Sequence, residues 1–192
     1  MDFKEATIRG LAPDKGLYFP ESIPEYDSRF FAEINDYTDE EIGLKILKPF
    51  VGDAIPEDEL KKIISETVNF KIPLVKVNEN IFSLELFHGP TLAFKDVGAR
   101  FMSRCLGYFV KNNRVAERGS NQKKVTVLVA TSGDTGGAVA NGFYNVDGVE
   151  VVILYPSGKV SSVQEKQLIT LGNNIHALEI KGNFDDCQKM VK

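Results

Sequence analysis

The sequence predicts an α/β fold, a parallel sheet with helices on both faces, preceded by a mainly helical amino-terminal region with a hairpin. Three apolar strands alternate with helix-spaced segments in the second half of the chain: 125–130, 149–155 and 175–180. The first is apolar at every position except Thr126, as expected for a strand covered on both faces. Because helices separate these strands, crossover connections would make them parallel neighbours in one sheet.

The chain is predicted to divide into two regions. Residues 1–73 would form a loop and helical region without chemistry, and residues 74–192 an α/β region that carries the candidate site. The first 35 residues are loop-rich and aromatic, with a tight turn at Pro13-Asp14-Lys15-Gly16.

Two helices are predicted to follow that opening segment. Thr38 and Glu41 form a capping box for the first, and Gly52 ends it. Its inward face would comprise Ile42, Ile46, Leu47 and Phe50. Pro56 begins the second, and its inward face would comprise Leu60, Ile63, Ile64 and Thr67.

The α/β region begins with a predicted hairpin, because strand-spaced residues 74–77 and 81–87 flank the turn Asn78-Glu79-Asn80. It leads into a helix from Lys95 to about Asn112, whose apolar residues recur every four positions. Three later helices are predicted: one over 135–144, one that opens with a capping box at Ser161 and closes at Gly172, and one with Phe184, Cys187, Gln188 and Val191 on one face.

Composition excludes several classes of protein. The 192 residues are 43% hydrophobic and 26% charged, which is ordinary for a soluble globular chain. A net charge of −4 gives no basic surface for nucleic acid. The apolar runs are shorter than the roughly 20 residues that span a bilayer, and no signal peptide is evident. We therefore expect neither a nucleic-acid nor a membrane partner.

Cysteine and histidine usage indicates the compartment and excludes a metal centre. Cys105 and Cys187 lie in predicted helices far apart in sequence, and two lone cysteines make neither a disulfide framework nor a metal site. His88 and His176 are too few for a metal cluster. We expect buried thiols in a reducing compartment, the cytoplasm, and no metal.

Lys95 is the first candidate catalytic residue. Gly89-Pro90 breaks the preceding strand and leaves Lys95 in or just before the first helical turn. The positive end of the helix dipole disfavours an ammonium there, and desolvation disfavours it further. The neutral amine is a good carbonyl nucleophile. The apolar residues expected to surround it are Phe87, Leu92, Ala93 and Phe94. An ordinary exposed lysine at a helix start is the alternative interpretation.

A glycine-rich loop is the second candidate site. Residues 130–137, Ala-Thr-Ser-Gly-Asp-Thr-Gly-Gly, join a buried strand to a helix, the position at which open α/β folds bind ligands. Hydroxyl groups and unpaired amides would suit an anion there. An N-cap at a glycine-rich turn is an equally good interpretation. The loop fits neither the P-loop nor the dinucleotide-binding pattern.

Two further residues have both a functional and a structural interpretation. Lys159 follows the second strand in a Pro-Ser-Gly-Lys turn, near an anionic substrate or simply in solvent. His88 is either a site histidine or, more commonly, a hydrogen-bonded structural one.

The segment from Glu85 to Asp96 resembles the signature around the cofactor lysine of pyridoxal-phosphate enzymes of the tryptophan-synthase-β type. Within it, residues 88–96, His-Gly-Pro-Thr-Leu-Ala-Phe-Lys-Asp, are similar to those of threonine synthases. Residues 11–17, the loop after residue 130 and the Tyr-Pro-Ser-Gly-Lys segment ending at Lys159 resemble the same family. The resemblance runs from about Gly10 to the end of the chain.

The resemblance implies a reaction, a cofactor and residue roles. O-Phosphohomoserine and water would be converted to threonine and phosphate, with Lys95 holding pyridoxal phosphate as an imine and acting as acid and base. Phe94 and Asp134 would contact the cofactor, although many members have asparagine in place of Asp134. The substrate-binding residues would be Thr131, Ser132, Gly133, Thr135 and Lys159.

The resemblance also implies that part of the site lies outside this sequence. The glycine loop that grips the cofactor phosphate and the groups facing the pyridine nitrogen are expected beyond residue 192. We therefore expect this chain to be an amino-terminal part that binds cofactor poorly and is inactive alone. A dehydratase-like pyridoxal-phosphate lyase and a non-catalytic anion-binding α/β module remain as alternatives. The oligomeric state stays open.

Overall fold

The computed structural model describes residues 1–116 and 124–192, and contacts between residues divide the chain into units 1–69 and 70–192. Whether the regions proposed above, with their boundary after residue 73, fold as separate domains stays a prediction. No helix within the described residues is both long enough and apolar enough to cross a bilayer.

The first unit opens with two short helices that the sequence analysis missed. Helix α1 spans Phe3–Arg9 and α2 spans Ser28–Ala32, within the segment predicted to be loops. An aspartate caps each: Asp2 accepts from the backbone N–H of Glu5, and Asp27 accepts from that of Phe30. Neither helix buries a residue, so neither shows an apolar period in the sequence. The predicted turn at residues 13–16 is present.

Two longer helices follow a single 3₁₀ turn at Ile34–Asp36. Helix α3 spans Asp39–Val51, with the capping box predicted from the sequence, and α4 spans Glu57–Thr67. The four inward residues predicted for α4 are all buried. The prediction that Phe50 faces inward was wrong. Its side chain is 37% exposed, whereas Val51, one turn after Leu47, is 2% exposed.

The second unit starts with the predicted hairpin. Strand β1, Leu74–Lys76, pairs antiparallel with β2, Phe82–Leu84, so that Leu74 lies opposite Leu84. The strands are shorter than the sequence suggested. Helix α5 then begins at Lys95, as predicted, and spans Lys95–Ala116, beyond the predicted end near Asn112.

A parallel three-stranded sheet forms the centre of the second unit, as predicted. Strands β3, β4 and β5 are neighbours in that order, with Ala130 opposite Leu154 and Leu154 opposite Leu178. The strands are Val125–Ala130, Val149–Pro156 and Ile175–Ile180. The helices between and after them are α6, Asp134–Phe143, α7, Ser162–Ile169, and α8, Phe184–Val191.

Helices cover both faces of this sheet. Alternate residues of β4, among them Val151 and Ile153, are buried in one cluster with Phe143 of α6 and Leu168 of α7. Helix α8 contacts β3 and β4, and its Cys187 is fully buried outside that cluster. Because side chains of a strand point alternately to the two faces, this arrangement gives the predicted layered fold.

Helices α5 and α6 lie side by side. A Cβ atom added to Gly142 would lie 3.1 Å from the carbonyl oxygen of Ala99, so the two backbones nearly touch there. Further along both segments, a Cβ atom on Gly107 would lie 2.9 Å from Cγ1 of Val146. Val146 lies three residues beyond the end of α6, so this second contact joins α5 to the turn that follows α6.

Candidate active site

Lys95 is the first residue of α5, and its side chain is exposed. Its Nζ lies 4.4 Å from the centre of the Phe94 ring, a cation–π contact. The prediction that apolar side chains surround the amine of Lys95 was wrong. Leu92 is 75% exposed and Phe94 is 59% exposed, and Ala93 alone among the predicted neighbours is buried. Within the described residues, the amine rests on one aromatic ring and faces solvent.

A tight turn delivers Lys95 to this position. The N–H of Leu92 donates to the carbonyl oxygen of Gly89, 3.1 Å away. Leu92 has φ of +59°, a left-handed conformation that is uncommon for a branched apolar residue. Such strain persists only where surrounding contacts hold it, and it is often found near functional sites.

Asp96 supplies those contacts. Its side chain is 1% exposed and accepts from the backbone N–H of Thr91 at 2.9 Å and from the Thr91 hydroxyl at 2.6 Å. A Cβ atom on Gly89 would lie 2.5 Å from Oδ2 of Asp96, so the turn closes tightly on the carboxylate. Sequence reasoning treated Asp96 only as part of a resemblance. The spacing of Gly89, Thr91 and Asp96 was the available clue.

The buried side chain of Thr131 forms hydrogen bonds within the second candidate site, the 131–135 loop. It is 1% exposed, and its Oγ1 accepts from the N–H groups of Gly133 at 3.0 Å and Gly136 at 2.8 Å. The hydroxyl also lies 3.0 Å from the carbonyl oxygen of Gly133, to which it donates. This placement argues against the predicted direct contact of Thr131 with substrate. Its hydroxyl serves the loop instead, so we assign Thr131 a positioning role.

Two glycines make this packing possible. A Cβ atom on Gly136 would lie 2.5 Å from Cγ2 of Thr131. Gly133 has φ of +149°, and a Cβ atom there would lie 2.5 Å from Nε2 of Gln164. The side chains of Thr131 and Gln164 thus occupy the space that a side chain at position 136 or 133 would need.

Ser132 and Thr135 are the residues of the loop whose hydrogen-bond donors are available to a ligand. Both side chains are exposed, and neither their backbone N–H groups nor their hydroxyls have a hydrogen-bond partner within the described residues. Both residues lie at the start of α6, where the helix dipole favours negative charge. Together they offer four donors to an anion, as the sequence analysis expected of this loop.

Asp134 is exposed, and its Oδ1 accepts a hydrogen bond from Nε2 of Gln164 at 2.6 Å. The sequence analysis assigned Asp134 to the cofactor and did not single out the side chain of Gln164. The two residues are separated by 30 positions, so only the fold brings them together.

Lys159 and His88 differ in their surroundings. Lys159 lies exposed in the turn after β4, with its N–H donating to the carbonyl oxygen of Pro156. Because Ala130 pairs with Leu154 in the parallel sheet, this turn and the 131–135 loop follow the same sheet edge. His88 contacts Glu85 through Nε2 at 2.7 Å, as a structural histidine would.

The candidate site comprises an exposed lysine amine and a loop with open hydrogen-bond donors. Lys95 is the first residue of α5, and the 131–135 loop leads into the first turn of α6, so each lies at the start of a helix. The described residues contain no group of three or more histidine, cysteine, aspartate or glutamate side chains that could hold a metal ion. The chemistry available is that of an amine and of fixed hydrogen-bond donors.

Known threonine synthases are similar to this chain over nearly all of its length. The chain is 44% identical to the threonine synthase of Serratia marcescens, covering 100% of this chain and 42% of that protein. It is 46% identical to the enzyme of Haemophilus influenzae, covering 99% of this chain and 42% of the relative. The chain thus spans less than half the length of these curated relatives.

Solved structures of threonine synthases are also similar to this chain over nearly all of its length. The crystal structure of threonine synthase from Escherichia coli superposes with a TM-score of 0.87 at 43% identity, covering 99% of this chain and 42% of that one. The structure of pyridoxal-phosphate-bound threonine synthase from Brucella melitensis gives a TM-score of 0.85 at 38% identity, covering 100% and 41%.

Two protein families match consecutive parts of the chain. Residues 1–68 match the family described as threonine synthase N terminus. Residues 67–192, well over half of the chain, match the family described as pyridoxal-phosphate dependent enzyme. The strand-helix alternation and the position of Lys95 at a helix start agree with this match. The chain therefore belongs to the family of pyridoxal-phosphate-dependent enzymes.

Proposed function

We propose that this chain is the amino-terminal part of a threonine synthase, which converts O-phospho-L-homoserine and water to L-threonine and phosphate. The observation that carries the proposal is similarity to threonine synthases over 99–100% of the chain, through both matched families. A pyridoxal-phosphate lyase of another specificity would be expected to share the second match without the first.

The described residues fit pyridoxal phosphate as the cofactor. An exposed lysine amine is able to bond an aldehyde, and the ring of Phe94 lies against that amine. When bound, the cofactor supplies an electron sink for negative charge at substrate carbons. In this proposal Lys95 holds the cofactor, and Phe94 and Asp134 contact it.

The remaining residues bind and orient the substrate. The donors of Ser132 and Thr135 would hold an anionic group, and Gly133, whose missing side chain leaves room for Gln164, would keep the loop in the shape that presents them. Lys159, on the same sheet edge, would pair with a second anionic group of the substrate. Once substrate occupies the site, the amine of Lys95 would move protons at the substrate carbons, because fixed orientation makes such transfers efficient.

A chimaera tests this function, because the chain spans only part of its relatives. This chain would replace the matching amino-terminal part of the Escherichia coli threonine synthase, and threonine and phosphate would be measured with O-phosphohomoserine as substrate. We expect both products in equal amounts, and none from the matched Lys95→Ala chimaera. By itself, the 192-residue chain is expected to bind cofactor poorly and to release no threonine.

The alternatives predict other outcomes from the same chimaera. Ammonia and a keto acid in place of threonine and phosphate would indicate a dehydratase-like lyase. A folded chimaera that leaves its substrate unchanged and whose Lys95 carries no cofactor after borohydride reduction would indicate a non-catalytic anion-binding module. The predicted cytoplasmic location is supported by the free, buried thiols of Cys105 and Cys187.

A further inference from the structure

Gln164 takes part in two hydrogen-bond systems at once. The side-chain Oε1 of Gln164 accepts from the backbone N–H of Ser161 at 3.0 Å, and the backbone N–H of Gln164 donates to Oγ of Ser161. These two hydrogen bonds form the capping box of α7. The Nε2 of Gln164 donates to Oδ1 of Asp134 at 2.6 Å. One side chain thus joins the start of α7 to the 131–135 loop.

The chemistry of the partners determines which way the amide points. The backbone N–H of Ser161 only donates, so it must face the oxygen of the Gln164 amide. An ionised carboxylate only accepts, so Asp134 must face the nitrogen. Both requirements are met at once by the observed orientation of the amide, and a flipped amide would lose both bonds.

The hydrogen bond between Gln164 and Asp134 affects where a negative charge lies within the 131–135 loop. Asp134 places a negative charge at the start of α6, beside donors that are free to bind an anion. An aspartate at a helix start readily caps the first-turn N–H groups itself, and its charge repels an incoming anion. The carboxylate of Asp134 bonds Gln164 instead, which leaves the donors of Ser132 and Thr135 open.

Packing supports the same role. Gly133 lies directly beneath the Gln164 amide, since a Cβ atom there would lie within 2.8 Å of Nε2, Cδ and Oε1. The absence of a side chain at Gly133 therefore allows Gln164 to reach Asp134. Gly133 and Gln164 act as one unit that seats α7 on the loop.

We propose that Gln164 is a positioning residue that holds the carboxylate of Asp134 toward α7 and so keeps the 131–135 loop open to the anionic group of the substrate. The proposal rests on the function proposed above for this loop. Inorganic phosphate is a suitable probe, because it needs only the loop donors and no cofactor.

The decisive variant is Gln164→Glu. Glutamate retains the capping box, because its carboxylate still accepts from Ser161, but it cannot donate to Asp134 and repels it. Phosphate would be titrated into the 192-residue chain while NMR follows the backbone amides of residues 132–136. We expect the Kd to rise at least about threefold, the size of effect a charge has at a helix start.

Two controls separate positioning from charge and from folding. Gln167→Glu adds the same charge to α7 without touching Asp134, and we expect a smaller rise in Kd. The double variant Gln164→Glu with Asp134→Asn restores the bond with donor and acceptor exchanged, at the wild-type net charge. We expect it to bind phosphate within about twofold of the wild-type chain. Thermal unfolding of all variants would verify that the capping box is intact.

Each remaining outcome overturns a specific statement. Equal effects of Gln164→Glu and Gln167→Glu, or no recovery in the double variant, would overturn the role of Gln164 and leave the proposed function standing. Unchanged amide shifts in the wild-type chain would overturn the anion-binding role of the loop itself, and with it this proposal.

Discussion

The carboxylate of Asp96 accepts both the backbone N–H and the hydroxyl of Thr91, so one buried side chain closes the turn that precedes Lys95. The two residues are five positions apart, on either side of the strained Leu92. The candidate catalytic amine therefore stands on a turn whose shape depends on its immediate neighbour in sequence.

Replacing Asp96 with alanine is expected to destabilise the chain. Thr91 would keep its donors without a buried acceptor, which costs about 1–3 kcal/mol of unfolding free energy. Urea denaturation measures this loss. Asp185→Ala, at an exposed position in α8, is the matched control, with an expected change within about 0.5 kcal/mol. Similar losses in the two variants would contradict a structural role of Asp96.

Thr131 offers a test that separates its hydroxyl from its shape. Valine has the same shape without the hydroxyl, so Thr131→Val would leave the N–H of Gly133 unpaired at a cost of about 1–3 kcal/mol, whereas the N–H of Gly136 would keep the carbonyl oxygen of Gly133 as acceptor. Thr131→Ser keeps the hydroxyl and loses one methyl group, at about 1 kcal/mol. Hydrogen exchange at Gly133 should accelerate in the valine variant alone. Unchanged protection there would refute the assigned positioning role.

Two glycine-to-alanine substitutions should have opposite effects. At Gly136 the new methyl would lie within 3 Å of the Thr131 side chain, and we expect a loss of about 1–3 kcal/mol from overpacking. At Gly98, in α5, no described residue outside the neighbouring turns of that helix lies within 4 Å of the new methyl, and alanine should stabilise the helix by about 0.5–1 kcal/mol. Thermal unfolding of the pair checks this, and shifts in the same direction would contradict it.

Glu150 should make stability depend on pH. Hydrogen bonds from Lys124 and then from His176 hold the pKa of Glu150 below its ordinary value of 4.5. A carboxyl with a lowered folded-state pKa adds stability above its unfolded-state pKa, and this is lost as pH falls through the folded-state value. Wild-type stability should therefore decline below about pH 4.5 more steeply than that of Glu150→Gln. Parallel stability curves for the two chains would argue against this linkage.

Much of the fold was predictable because its causes are local in sequence. The apolar run of β3 and the capping boxes at Thr38 and Ser161 each reside within a few residues, and each was confirmed. The strand at 175–180 has the predicted bounds. Helix α1 was missed because it buries no residue, so its pattern carries no hydrophobic period.

Less of the candidate site was predictable, because its contacts depend on direction and on distant residues. The hydroxyl of Thr131 was expected to face a ligand, but the bend at Gly133 brings two backbone N–H groups onto it. The partner of Asp134 lies on another helix, so the capping-box pattern that includes Gln164 does not reveal its contact with Asp134. The roles of Lys95, Phe94 and the substrate-binding residues stay predictions for the chimaera to test.

Gly142 contributes no chemistry, yet the spacing of the candidate site depends on it. A side chain there would press on the backbone of Ala99, four residues after Lys95, and force α5 and α6 apart. Such a separation would displace the first turn of α5, which carries Lys95, while every functional group stayed chemically intact. Screens for lost activity should therefore recover substitutions of Gly142 as well as of Lys95, although the Gly142 variants still contain Lys95.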